Sequence, residues 1–192
     1  MRYRTIVADP PWHYPEGWGR IPGGQGEAMA VRRGEAPMFK GRKPLPYPSL
    51  SLAEIAALPV PELAEDDAHL YLWTTNRYLR DAFDILVAWG FRYGQTLVWC
   101  KTPMGLGMGG AFANSTEYIL FARRGSLRHK QKVQSTWFNW PRMDRAHSRK
   151  PEAFLDMVET VSPGPYLELF ARRNRLGWDT WGNEALEHVD LA

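Results

Sequence analysis

Asp9, Pro10, Pro11 and Trp12 bring a carboxylate, two rigid backbone units and an indole together directly after the apolar run Thr5-Ile6-Val7-Ala8. The grouping suits a planar base. Asp9 can accept a hydrogen bond from an exocyclic amine, the Pro10 carbonyl can accept a second, and Trp12 can stack on a ring. Prolines serve such a turn well: each fixes its own φ, restricts the residue before it and keeps a free carbonyl acceptor. The same tetrapeptide is also compatible with a strand-ending turn that simply packs its tryptophan. Further along, Lys150 stands just before Pro151-Glu152, where a helix begins. A cation is misplaced at that end of the helix dipole unless an anion lies between them, so Lys150 marks a place for a ligand carboxylate, with a solvated lysine as the alternative. Glu168 and Arg172 flank Phe170; they can hold ribose hydroxyls or pair with each other.

These residues need strands to end where they stand. Ile6-Val7-Ala8 reads as a short buried strand that the prolines stop, since neither has an N–H for a ladder. His69 to Trp73, Thr96 to Trp99, Thr116 to Phe121 and Tyr166 to Phe170 read as further strands. Ser51 can cap a short helix through Leu52, Ile55 and Leu58. Arg77 to Trp89 has the apolar spacing of a helix on Leu79, Phe83 and Leu86, stopped by Gly90. Pro151 opens another, with Phe154, Leu155, Val158 and Val161 on its inner face. Strand, helix, strand alternation predicts an α/β sheet with mostly parallel pairing, whose ligands bind outside the carboxyl ends of the strands. Gly105-Leu106-Gly107-Met108-Gly109-Gly110 matches the dinucleotide-binding glycine pattern by letter, but a strand and not a helix follows it, so the match is rejected. These glycines are read as a lid-like loop.

At 192 residues one domain is expected over residues 1–192, carrying a long loop at 13–48 and a Gly-rich loop at 103–114. The hydrophobic fraction is 44% with nine tryptophans, and no stretch is long and apolar enough to span a membrane. The N-terminal Met-Arg-Tyr-Arg lacks a signal-peptide pattern, and the reading expects a cytoplasmic protein. The single cysteine, Cys100, has no intrachain partner, and the five histidines show no zinc spacing with it, so no metal is expected. Net charge is only +3, yet Arg123 to Lys150 holds nine Lys or Arg against one acid, Asp144. That concentration suits a phosphate backbone, with an ordinary solvated surface as the alternative. Arg123, Arg124, Arg128, Lys130 and Lys132, with Tyr47 and the basic residues Arg32 to Lys43 of the long loop, are the candidate nucleic-acid contacts.

Taken together, Val7-Ala8-Asp9-Pro10-Pro11-Trp12, Tyr71-Leu72-Trp73, Trp99-Cys100-Lys101-Thr102, His147-Ser148-Arg149-Lys150-Pro151, Ser162-Pro163-Gly164, Glu168-Leu169-Phe170-Ala171-Arg172 and Gly182-Asn183 stand in the order seen in the DPPW-type N6-adenine methyltransferases. The chain resembles that family from Ile6 to Asn183, and the co-ordered set is far more specific than any one motif. The resemblance implies a Rossmann-like methyltransferase sheet with the catalytic turn preceding the cofactor segment, and S-adenosylmethionine as methyl donor. It implies that Asp9 and the Pro10 carbonyl hold the adenine amine and that Trp12 lines or stacks on the base. It further implies Lys150 and Asn183 on the methionine carboxylate, and Glu168, Arg172 and Asn174 near the ribose. Glu184 stands where the family commonly has an amide, and the upstream segment that helps bind the cofactor adenine in longer relatives has no counterpart before Asp9. The expected substrate is nucleic acid, DNA over RNA, with oligomeric state left open. Two rival readings remain at this point: an N4-cytosine methyltransferase, and a catalytically silent nucleic-acid-binding partner subunit.

Overall fold

The computed structural model describes residues 1–14, 48–101, 112, 114–141 and 150–182. Its central strand is β1 (Tyr3–Ala8), whose alternate side chains go to opposite faces: Ile6 and Ala8 into one apolar cluster, Val7 into another. A strand covered on both faces is apolar where both layers meet it, as Ile6, Val7 and Ala8 are here, while the polar Thr5 is buried with its hydroxyl donating to the Pro163 carbonyl. β1 runs parallel to β2 (Ala64–Thr74) on one side and to β6 (Tyr166–Leu169) on the other. With β3 (Arg92–Cys100), β4 (Thr116–Arg124), β5 (Trp137–Phe138) and β7 (Trp178–Trp181), the sheet has seven strands in the order β5-β3-β4-β2-β1-β6-β7. All run the same way except β4, which is antiparallel to both neighbours. This is the mostly parallel α/β sheet that the sequence predicts.

Helices cover both faces. On one lie α1 (Leu52–Ala56), the short α2 (Val60–Leu63) and α3 (Leu79–Ala88); Ile55, Val60, Ala82, Ile85 and Leu86 pack there against Ile6, Leu70, Leu72, Leu120 and Leu167. On the other lies α4 (Glu152–Val161), whose Phe154, Leu155 and Val158 pack on Val7, Tyr71, Trp73, Trp99 and Ile119. Ser51 caps α1 as expected, in a full capping box with Glu54. The helix predicted over 77–89 divides into a 3-10 turn at Asn76–Tyr78 and α3. α4 ends at Ser162, whose hydroxyl lies 2.8 Å from both the His69 Nδ1 and the Tyr71 hydroxyl, a buried polar chain tying α4 to β2.

The reversed β4 settles how the site is assembled. Where β1, β2, β3, β6 and β7 end, β4 begins, so residues from its start join residues from the other strands' ends. β3 and β4 are closed by the Lys101 N–H donating to the Ser115 carbonyl at 2.9 Å. A strand does follow the glycine run, as the rejection of a dinucleotide fingerprint requires. Residues 102–111 and 113 of the Gly-rich loop, and 15–47 of the long loop, lie outside the described residues.

Phe154 joins the two layers on the α4 side, meeting Trp73 at 4.8 Å, Tyr71 at 6.0 Å and Trp140 at 6.1 Å between ring centroids. Phe154→Ala should therefore cost about 3–5 kcal/mol of stability through the cavity it leaves, measured by urea unfolding. A loss under 1 kcal/mol would mean that α4 is not seated on these aromatics.

Candidate active site at the carboxyl edge of the sheet

Asp9 follows directly on Ala8 at the end of the central strand. The Trp12 N–H donates to the Pro10 carbonyl at 2.9 Å, and the Leu50 N–H to the Pro11 carbonyl at 2.9 Å, so the turn is fastened to the start of α1. Trp12 is only 4% exposed. Its ring stacks on Tyr78 at 5.2 Å with 15° between planes, and its Nε1–H donates to the Trp73 carbonyl at 3.2 Å. Stacking of Trp12 on a substrate base, one of the sequence expectations, is therefore not what the structure offers. The indole is committed to the core and holds the turn rigid. The Pro10 carbonyl, having accepted one bond from Trp12, keeps its second lone pair.

Strand alternation puts the chemistry on one face. Asp9 follows Ala8 and so points to the α4 side; Glu168 is in register with Val7, and Glu117 with Trp99, residues of that same side. Lys150, at the mouth of α4, joins them. Its Nζ stands 2.8 Å from Asp9 Oδ2 and 3.2 Å from Glu117 Oε2, over the Trp73 ring at 4.9 Å from the centroid. Glu117 Oε1 in turn accepts a hydrogen bond from Lys101 Nζ. Asp9, Lys150, Glu117 and Lys101 thus form a chain of alternating charge, each side chain less than a quarter exposed.

The charges settle one another. Burial alone would push the Lys150 ammonium down, but the carboxylates of Asp9 and Glu117 outweigh it and hold it firmly protonated. Burial likewise pushes Glu117 up, and Lys150 with Lys101 brings it below the ordinary carboxylate range. Asp9 has one ammonium against a larger burial cost, so its carboxyl ends above the ordinary range. The Asp9 oxygen nearest Lys150 is Oδ2. Among the described residues Oδ1 has no hydrogen-bond partner, and an ammonium shared between two carboxylates retains a donor of its three.

Beyond this chain, Glu168 is half-buried with its Oε2 enclosed and unpartnered, and burial pushes its carboxyl up to about 7. Arg172 lies close enough to Asp9 to act on its charge. The cation acting most strongly on Glu168 is Arg173 and not Arg172, and Arg173 itself reaches Glu152 at 2.5 Å. Asn174 reaches the Thr180 hydroxyl at 3.4 Å. Between them Phe170 takes a φ of +63°, which costs a bulky residue energy and fixes the turn after β6. At Gly182 an added Cβ would come within 2.3 Å of the Ala171 carbonyl oxygen, so the strands close tightly just before Asn183. Asn183 and Glu184 lie outside the described residues, as do Tyr47 and the basic residues Arg32 to Lys43.

The basic stretch is placed elsewhere. Arg123 and Arg124 end β4 and are in register with His69 and Ala68, toward the opposite edge of the sheet from Glu117. Seven residue steps of strand separate Glu117 from Arg124, about 23 Å. Arg124 donates to the Pro61 carbonyl and Lys130 to the Glu159 carbonyl, while Arg128 and Lys132 are exposed. None of these is brought to Asp9. Conversely, the structure adds two residues to which the sequence assigns no role, Glu117 and Lys101, the second standing there only as part of a motif. Glu117 looks there like an ordinary polar position in an alternating strand, and only the reversed direction of β4 carries it to the site.

The MT-A70 family model matches residues 31–184, a span that takes in Lys101, Glu117, Lys150 and Glu168. Over 185 residues the chain is 30% identical to the type II methyltransferase M.MunI of a Mycoplasma species, covering 95% of this chain and 78% of that protein. It is 27% identical over 192 residues to the N(6)-adenosine-methyltransferase MT-A70-like protein of Drosophila melanogaster and 26% identical to the N(6)-adenosine-methyltransferase catalytic subunit METTL3 of Homo sapiens. Each of these two matches covers 95% of this chain, which spans 27% and 28% of those longer proteins.

A carboxyl raised in the folded state binds its proton more tightly there than in the unfolded chain, so it lowers stability as pH climbs from the ordinary carboxylate value to its own. For Glu168 that window runs from about 4 to about 7. Glu168→Gln removes this titration. Its melting temperature relative to the parent should rise through the window and level off above it. A difference that stays constant with pH would return Glu168 to ordinary, solvated ionisation.

Proposed function

The chain belongs to the MT-A70 family of S-adenosylmethionine-dependent methyltransferases, and on that premise we propose that it transfers a methyl group to the N6 amine of adenine in nucleic acid, DNA rather than RNA. The observation that carries this reading is the half-engaged carboxylate of Asp9, held at a strand end by Lys150 through Oδ2 with Oδ1 open. The adenine amine is a poor nucleophile because its lone pair is drawn into the ring. A hydrogen bond from the amine to Asp9 Oδ1, and a second to the Pro10 carbonyl, keep that pair on nitrogen. As the nitrogen becomes positive it must shed a proton, and Oδ1 of a carboxyl raised by burial is well matched to receive it. The larger share of the rate comes from holding the reacting atoms in line, for which about 7–11 kcal/mol is available.

The residues present fit the methyl donor. Bound S-adenosylmethionine supplies an electrophilic methyl on sulfonium sulfur. The spare donor of Lys150 suits its carboxylate, and the buried, unpartnered Oε2 of Glu168 suits a ribose hydroxyl. Arg172, Asn174, Asn183 and Glu184 complete the set that we assign to the cofactor.

DNA is favoured because the chain spans most of the type II methyltransferase it matches and about a quarter of the N(6)-adenosine enzymes. A target base must leave its stack, at about a few kcal/mol, to reach an edge as recessed as this one. Arg123, Arg124, Arg128, Lys130 and Lys132, some 20 Å away along β4, are assigned to flanking phosphates.

Labelled S-adenosylmethionine incubated with single- and double-stranded DNA and RNA, followed by nucleoside analysis, tests the proposal. Label is expected in N6-methyladenine; label in N4-methylcytosine would favour the cytosine rival, and no transfer at all a silent binding subunit. Asp9→Asn should lower turnover by about 100-fold or more while S-adenosylmethionine affinity by calorimetry changes little, since the carboxylate is assigned to the acceptor amine. A parallel loss of affinity would transfer Asp9 to the cofactor.

The phosphate assignment has its own test. Binding should weaken with salt at a slope of about −0.7 to −0.9 per phosphate contact, and Arg128→Ala/Lys130→Ala/Lys132→Ala should flatten that slope without changing which base is methylated. Equal slopes would make the stretch ordinary surface.

A further inference from the structure

Four largely enclosed charges are more than are needed to hold one carboxylate. Lys150 alone could pair with Asp9, yet Glu117 is drawn from the start of a reversed strand to share that lysine, and Lys101 from the end of β3 to share the glutamate. Burying an extra ion pair costs several kcal/mol per ion before any return, so its presence calls for a use. The geometry supplies one. Lys150 carries its ammonium on a four-carbon stem that can slide along its partner. With Asp9 as its sole acceptor it would settle against both oxygens, neutralise the carboxylate and cover Oδ1. Glu117 stands 3.2 Å away at a second point and draws the ammonium aside, so that the Asp9 oxygen nearest it is Oδ2, and Oδ1 keeps no hydrogen-bond partner among the described residues. Lys101, bonded to the other oxygen of Glu117, keeps that glutamate from rotating onto Lys150 with both of its own.

We propose that Glu117 is a positioning residue for methyl transfer, acting through Lys150 to keep one oxygen of Asp9 open to the acceptor amine, with Lys101 fixing Glu117 in turn. This rests on the assignment of Asp9 to the acceptor. It separates two duties that Lys150 would otherwise perform at each other's expense: contact with a ligand carboxylate and control of Asp9.

The test is Glu117→Gln, which keeps shape and an acceptor oxygen but removes the charge. Three readouts should move apart. Turnover should fall by about 10- to 100-fold, the size of a small misplacement of a reacting group. Affinity for S-adenosylhomocysteine by calorimetry should be unchanged or tighter, because a negative charge near its carboxylate has gone. The acid limb of the pH–rate profile should move down by about one unit, since Asp9 then has Lys150 to itself. Glu117→Asp should restore part of the turnover.

A merely structural role predicts a different pattern, with affinity and turnover lost together and the acid limb unmoved; that pattern overturns the proposal, as does full turnover in Glu117→Gln. Should that variant fail to fold, Lys101→Met carries the same test, and there too unchanged turnover overturns it. The parent's transfer to adenine is read first. Its absence defeats the functional reading and this inference with it, whereas an active parent with an indifferent Glu117→Gln defeats the inference alone.

Discussion

An ammonium shared between two half-buried carboxylates is the constraint on which the site depends. Lys150 sits where a helix begins, a position unfavourable to a cation by the sign of the helix dipole. Asp9 and Glu117 provide the negative charge that makes the position tolerable, and the Trp73 face beneath adds an electrostatic attraction of its own. Each carboxylate, in turn, would be expensive to bury without the lysine. The result is a set of groups that can only be stable together, which is why they come from four different parts of the chain: the end of β1, the end of β3, the start of β4 and the mouth of α4.

That assembly relies on parts that take no chemical role. Trp12 is the clearest case. Buried against Tyr78 and bonded to the Trp73 carbonyl, it clamps the Asp-Pro-Pro turn to the strand that also supplies the ring under Lys150. Phe154 fixes the first turn of α4 on the same aromatic layer, and therefore the height of Lys150 above the sheet. A rigid aromatic floor is the physical counterpart of a site whose charges must not drift by even a fraction of an ångström.

Much of this was legible in the sequence, for a definable reason. Strand ends marked by proline, a helix start marked by Pro151-Glu152 and a cap at Ser51 are local signals, and local signals predicted the strands around Ile6, Leu70 and Val98, the α4 helix, Asp9 at a strand end and Lys150 at a helix start. What was hidden depended on direction and contact. The antiparallel course of β4 has no sequence mark, so Glu117 read as one polar position in an alternating strand, and nothing in the sequence said at which edge of the sheet the basic residues after Phe121 would stand; β4 carries them away from Asp9. β5 is two residues long and β7 four, too short for periodicity to distinguish from turn. Trp12 was ambiguous by nature, since an indole beside a site serves equally as platform or as core, and only its burial decides.

The closure between Lys101 and Ser115 has a further bearing. The chain leaves the sheet at one of these residues and returns at the other, the two being joined by a backbone hydrogen bond right beside the four charges. Because the ends are pinned, the segment between them can lengthen or shorten at only about 0.6 kcal/mol per doubling, without disturbing the register of β3 and β4. The pairing of Lys101 with Glu117 is thus fixed by the register of the two strands and not by the number of residues that join them, so the charge chain tolerates a change of length there that it would not tolerate within either strand.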